Sequence, residues 1–186
     1  VRNMAVWQEG DVLATFNRGA GSDAIKLFNA TSGLPNIEIE QIDMTGISAG
    51  TYNIIAGDFS EDGHLFVCNL AYADPLQLKV YYWDTLSTQT TMIYEAPAYL
   101  GYRMGDSLDV SGRVDDNSVS VLISGNNAAS QPLRLTTSDF GETFSAATLP
   151  NAVQAQDLDQ VAGGGFYSTY TGGNIILRNA DGSVNT

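Results

Sequence analysis

Four times along the chain an apolar segment is followed by a second, and then by a third that breaks off in a polar turn. The third segments with their turns are "IKLFNATSG" at 25–33, "KVYYWDTLST" at 79–88, "LRLTTSDFGET" at 133–143 and "IILRNADGS" at 175–183. Ahead of each lies a second segment, "VLATFN", "LFVCNL", "VSVLIS" and "GFYSTY" in order, and ahead of those a first, "MAVWQ", "IIAGDF", "SLDVSG" and "DLDQVAG". After the first three turns comes a fourth, "IEIEQI", "TTMIYE" and "FSAATL". The segments are short, rich in Val, Ile, Thr, Phe and Tyr, and bounded by Gly, Asn, Asp or Ser, which is how strands read. Helical periodicity is nearly absent.

A four-strand meander recurring about every 40 to 55 residues is the period of propeller blades. The expected fold is therefore all-β, with four-stranded antiparallel units arranged as β-propeller blades. The approximate blades are 4–45, 52–97, 104–150 and 157–186, within a single domain or segment spanning 1–186. The fourth unit stops after its third strand, and "VRN" is too short to supply a fourth. That leads to the expectation of a segment from a longer propeller of about six to eight blades, with an open or small four-unit assembly as the alternative.

The turn at 136–144, "TTSDFGETF", carries the pattern Thr137-x-Asp139-x-Gly141-x-Thr143-Phe144. An aspartate there can accept backbone N–H bonds across the turn, glycine can take a positive φ, and the aromatic can pack beneath. The pattern resembles the Asp-box on blade hairpins of sialidase-like and other propellers. Such boxes lie away from the sialidase active site, so the resemblance implies architecture and not chemistry. A second resemblance covers about residues 4–125, through Asp62, Gly63, Cys68, Asn69, Leu70, Tyr81, Trp83, Arg103, Gly105, Asp106, Leu108, Asp109 and Val110. Here the chain is similar to a family of bacterial secreted propeller-type domains without an assigned function. What that implies is blades and export, with no catalytic residues to carry over.

Charge excludes some partners. The formal net charge is −13, with 8 Lys and Arg against 21 Asp and Glu. Phosphate backbones and anionic membrane surfaces are gripped by clustered cations, so neither is expected as a partner. No apolar run approaches the roughly 20 residues of a spanning helix, so no membrane insertion is expected. An acidic, turn-rich chain with a single cysteine fits an extracellular or cell-surface setting. Cys68, in the apolar "HLFVCNL", reads as a small buried hydrophobe. A Cys/His zinc site or catalytic pair would require Cys68 and His64, the sole histidine, to meet.

Three constellations in the sequence bear on chemistry. Paired carboxylates come first, as in glycoside hydrolases: Asp106 with Asp109, Asp115 with Asp116, and Asp157 with Asp159, the last pair facing one side if the segment is a strand. A sialidase-type site would instead need converging arginines, drawn from Arg18, Arg103, Arg113, Arg134 and Arg178. Hard oxygen ligands in "DFSEDG", "DSLD", "VDDN" and "NADG" make structural calcium the candidate ion, although none fits an EF-hand loop; otherwise no cofactor is expected. Aromatics form the third set. On one strand Tyr82 points opposite to Tyr81 and Trp83, and Tyr94, Tyr99 and Tyr102 cluster ahead of the 100–106 loop. Candidate ligand-contacting residues are thus Tyr82, Tyr102, Arg103, Asp106, Asp109, Asp157 and Asp159. The expected function is a non-enzymatic binding or scaffolding module that contacts polysaccharide or protein at the cell surface. The alternatives are a glycan-active hydrolase or lyase and, through self-association, a filament or sheath subunit.

Overall fold

The computed structural model describes residues 3–17, 24–35, 42–49, 51–127, 129–152, 157–169 and 173–186, and these described residues form fourteen strands in four antiparallel sheets and no helix. Sheet 1 holds β1 (Asn3–Trp7), β2 (Val12–Phe16) and β3 (Ile25–Asn29). Sheet 2 holds β4 (Ile54–Phe59), β5 (Leu65–Asn69), β6 (Lys79–Trp83) and β7 (Thr91–Glu95). Sheet 3 holds β8 (Ser107–Ser111), β9 (Ser120–Ser124), β10 (Leu133–Thr136) and β11 (Ser145–Thr148). Sheet 4 holds β12 (Leu158–Gln160), β13 (Phe166–Thr169) and β14 (Ile175–Arg178). Each sheet is a simple meander, as the repeat predicts. Most of the expected strand "IEIEQI" lies outside the described residues.

The sheets pack in chain order through their first strands, β1 on β4, β4 on β8 and β8 on β12. Because side chains alternate across a strand, a sheet packed on both faces needs apolar residues at every position. Strands β5 and β6 meet that demand and are buried throughout. Leu65, Val67, Tyr81 and Trp83 face sheet 1, where they join Ala14, Phe16 and Ile25. Phe66, Cys68, Val80 and Tyr82 face sheet 3, with Val121, Ile123, Leu133 and Leu135. Tyr82 thus lies opposite to Tyr81 and Trp83, as the alternation requires. Leu122, on the far face of sheet 3, packs with Leu158 and Phe166 of sheet 4. The outermost strands β7 and β11 bury little, and every residue of β11 is exposed.

Close approach of sheets 1 and 2 depends on Gly57 in β4. A Cβ there would lie 2.6 Å from the Phe16 ring and 2.7 Å from Val67 Cγ1. Both neighbours are fully buried and have nowhere to move. Gly57→Ala should therefore cost about 1–3 kcal/mol of stability, read from urea unfolding.

Polar links join the first strands. Asp58 Oδ2 accepts the Val110 N–H from the next sheet at 3.1 Å, and Asp109 Oδ2 accepts the Gln160 N–H from the sheet after that at 2.9 Å. The Gln160 side chain completes the second joint, its Nε2 donating to Asp109 O and Ser120 O and its Oε1 accepting from Ser120 Oγ. Burial pushes the Asp58 carboxyl up to about 6, outweighing its two backbone hydrogen bonds, with the charges of Asp109 and Asp159 acting in the same direction. Asp109 is raised too, chiefly by burial.

Between about pH 4 and pH 6 the folded chain holds a proton at Asp58 that the unfolded chain has released, so stability falls as pH rises through that window, and Asp109 acts in the same direction. For Asp58 alone the loss is on the order of 2 kcal/mol. Chemical denaturation at a series of pH values should show this slope in the parent and a clearly shallower one in Asp58→Asn.

Candidate functional site

Turns from sheets 2 and 3 converge at one end of the sheets. The β4–β5 turn is closed by Ser60, whose N–H donates to His64 O and whose hydroxyl accepts the His64 N–H at 3.0 Å. Gly63 sits at φ 91°, and a Cβ there would strike Trp7 Cε2 at 2.5 Å, so the turn takes this path only with glycine. Its path sends Asp62 and His64 to the same side. The β8–β9 turn docks against it: Glu61 N–H donates to Gly112 O at 3.0 Å, and Asp115 N–H to Asp62 Oδ2 at 2.9 Å.

The sole histidine lies at the centre of this junction. His64 Nε2 is 3.6 Å from Asp62 Oδ2 and 3.9 Å from Asp115 Oδ1. On its other edge, Nδ1 lies 3.0 Å from the Tyr82 hydroxyl and 3.3 Å from Asp84 Oδ1. Tyr82 in turn donates to Asp84 at 3.2 Å, and burial, with Asp84 next, holds its phenol above the ordinary range. Burial also opposes ionisation of Asp62. The Asp115 N–H, the nearby Ser60 hydroxyl and His64 outweigh it, so the Asp62 carboxyl titrates below the usual value.

Trp7, Asp62, Gly63, His64, Asp84 and Asp115 line a cavity of about 570 Å³ with the 85–87 turn. Two polar atoms at its wall are buried without a hydrogen-bond partner, Asp62 Oδ1 and Trp7 Nε1. The Asp62 side chain is only 3% exposed, whereas those of Asp84 and Asp115 are 70% exposed.

Against Phe66 and Tyr82 packs the 137–144 turn. Asp139 Oδ1 accepts the Thr143 N–H at 2.9 Å and the Thr137 hydroxyl at 2.7 Å, while Oδ2 accepts the Thr143 hydroxyl. The two hydroxyls and the Thr143 N–H hold the Asp139 carboxyl down at about 2. Phe140 and Gly141 both have positive φ, 59° and 86°. Phe144 packs against Phe66 and Tyr82 with ring centroids 5.8 Å apart in each case. This turn thereby backs the tyrosine that contacts His64.

The other sequence candidates scatter. Arg103 and Asp106 form an ion pair at the opposite end of β8, and Asp106 Oδ2 also accepts the Asn126 N–H. Tyr102 packs on the core between sheets 2 and 3, where burial raises its phenol. Asp109 sits mid-strand in the joint with Gln160. Asp157 and Asp159 share the wall of a second cavity, about 370 Å³, with Tyr167 and Ile175. The described arginines do not converge. Arg134 donates to Ala180 O and Gly164 O, Arg178 to Ser168 Oγ, Asn151 O and Gly182 O, and Arg113 lies 4.0 Å from Asp115. Arg18 lies outside the described residues. Cys68 is buried in the core with its thiol pushed up by desolvation.

In the sequence His64 is weighed only with Cys68, and nothing there marks Asp84 or the joint role of Asp58. The stretches "DFSEDG" and "VDDN" offer oxygen ligands in the sequence, and the structure brings one residue of each, Asp62 and Asp115, to the same imidazole. A usable signal for the joints was the regular recurrence of an acid one residue before Phe59, Val110 and Gln160.

No family model matches the chain, and no curated protein matches it. Among solved structures it is similar to a DUF4623 family protein from Bacteroides eggerthii DSM 20697, with a TM-score of 0.69 and 18% identity. The match covers 98% of this chain and 43% of that one, so the chain spans less than half the length of its structural neighbour. At that identity the likeness is one of fold.

Asp139→Ala removes three acceptor contacts from one turn. It should lower Tm by several degrees at neutral pH. In the parent, the Asp139 contribution is present above the unfolded carboxylate value and is lost as pH falls towards 2, so the difference between the two proteins should shrink in strong acid.

Proposed function

We propose that the four sheets are consecutive blades of a β-propeller, and that the end carrying the His64 junction is a non-enzymatic binding surface for polysaccharide in an extracellular or cell-surface setting. First-strand packing in chain order, the recurring meander and the Asp-box-like turn at 137–144 support the blade reading. The observation that carries the binding reading is the cavity at the junction. Its wall presents carboxylate acceptors beside the Trp7 ring, with the Asp84 and Asp115 side chains accessible.

Sugar hydroxyls supply the donors that such a wall lacks. A hydrogen bond to a charged acceptor contributes about 1.5–3 kcal/mol, so two exposed carboxylates are enough to fix the orientation of a sugar unit. The negative field selects neutral glycans over acidic ones. Net acidity and the scarcity of lysine support the same choice of partner.

The test is binding of the tag-free protein to a panel of immobilised neutral and acidic polysaccharides, in chelator-containing buffer. Neutral chains should bind, and Asp84→Ala and Asp115→Ala should each weaken binding by about tenfold or more. Retention of full binding by the double variant would remove this cavity from the reading. Release of reducing ends, lost in Asp157→Asn, would instead favour the glycan-hydrolase alternative, for which the shared Asp157 and Asp159 wall is the motivating observation.

A further inference from the structure

We infer that Asp62, His64 and Asp115 form a binding site for a divalent transition-metal ion of the zinc or manganese kind, with Tyr82 and Asp84 as its outer support. One ligand atom from each of the three residues lies within 4.8 Å of the others. His64 Nε2 stands 3.6 Å and 3.9 Å from the two carboxylates. Ligands at about 2.0–2.1 Å from a tetrahedral ion are separated by about 3.4 Å, so the two imidazole–carboxylate gaps close with a shift of a few tenths of an ångström, and a swing of the exposed Asp115 side chain brings the two carboxylates, within 4.8 Å of each other, to the same spacing.

Three further observations point to a ligand. The Asp62 side chain is only 3% exposed; its Oδ2 faces His64 Nε2 and accepts the Asp115 N–H, and its Oδ1 has no hydrogen-bond partner, a costly arrangement for a carboxylate unless something positive completes its shell. His64 Nδ1 is already engaged by the Tyr82 hydroxyl and faces Asp84, which leaves Nε2 directed at Asp62 and Asp115. A carboxylate or hydroxyl on one ring nitrogen, orienting the other towards a metal, is the usual outer arrangement of ligating histidines. Charge is the third. Three carboxylates surround one imidazole, and the described cation beside them, Arg113, reaches only Asp115, at 4.0 Å.

Imidazole among the donors decides the class of ion. Calcium takes 6–8 oxygen ligands, whereas imidazole with carboxylates suits zinc, manganese or iron. Two carboxylates and one imidazole leave coordination positions open towards the cavity, where water or a ligand hydroxyl completes the shell. The ion site stands whether or not a polysaccharide binds beside it.

His64 is the sole histidine, so its imidazole proton signals in NMR report on this site alone in tag-free protein. Titration of chelator-stripped protein with Zn²⁺ should move those signals and give one ion per chain by calorimetry. Asp115→Ala, at an exposed position, keeps the fold and should weaken binding by about tenfold or more, and Tyr82→Phe by about tenfold. His64→Gln should abolish it, with thermal unfolding to check that the variant is folded; if it is not, Asp115→Ala carries the test. Asp157→Ala, in the other cavity, should bind as the parent does. Unmoved imidazole signals at saturating Zn²⁺ and Mn²⁺, or parent-like affinity in Asp115→Ala, would overturn the inference, as would calcium binding that leaves His64 untouched. Loss of ion binding with glycan binding retained in chelator would separate this site from the polysaccharide reading.

Discussion

Sheets 2 and 3 have no spare face. Each is pressed between neighbours, and the rest of the structure follows from the need to fill both sides at once. In β5 and β6 the alternation of a pleated strand, which normally separates water from core, separates one core from another. Shifting either strand by a residue would exchange Tyr82 for Tyr81 or Trp83 across the sheet, and none of the three fits the space of the other. Register is therefore fixed by size as well as by polarity, and the glycine at 57 and the large ring at 16 are two halves of one fit.

Stacked in this way, the sheets bring their turns together at the ends, where packing alone would leave a crevice. The crevice is filled by polar contacts of graded strength. The backbone bond from the Glu61 N–H to Gly112 O sets the distance, Asp62 adds a second link through the Asp115 N–H, and the imidazole lies beside them. Support for the imidazole comes from below, through Tyr82, Phe144 and the Asp139 turn. Stability and site geometry are thus coupled: the aromatic that anchors a hairpin also fixes the hydroxyl that positions His64.

Much of this architecture was legible in the chain. Continuous apolar runs such as "LFVCNL" announce two-faced burial, and the third-strand turns announce the repeat. The site was less legible for a physical reason. Asp62, Asp84 and Asp115 are separated by a strand or more, and each stands in a turn whose Asp and Gly content has a sufficient local explanation. Only the stacking of two sheets shows that the turns share one imidazole. Asp106 and Arg103 show the reverse: their side chains looked available as sequence, yet they neutralise each other beside the strand they precede. Asp109 looked like a candidate for chemistry, and in the fold its carboxylate receives a neighbouring strand's N–H.

The Asp58 to Val110 and Asp109 to Gln160 joints span 52 and 51 positions, and the acceptor of one joint stands directly before the donor of the previous one. A first strand of this kind carries both halves of the connection, a hook for its successor and an eye for its predecessor. Copying such a stretch in a gene copies a complete fastening, with no compensating change needed in the older neighbour. Growth of the array by tandem duplication is then mechanically simple, and divergence is free to proceed in the turns, where the His64 junction has no counterpart built from another histidine.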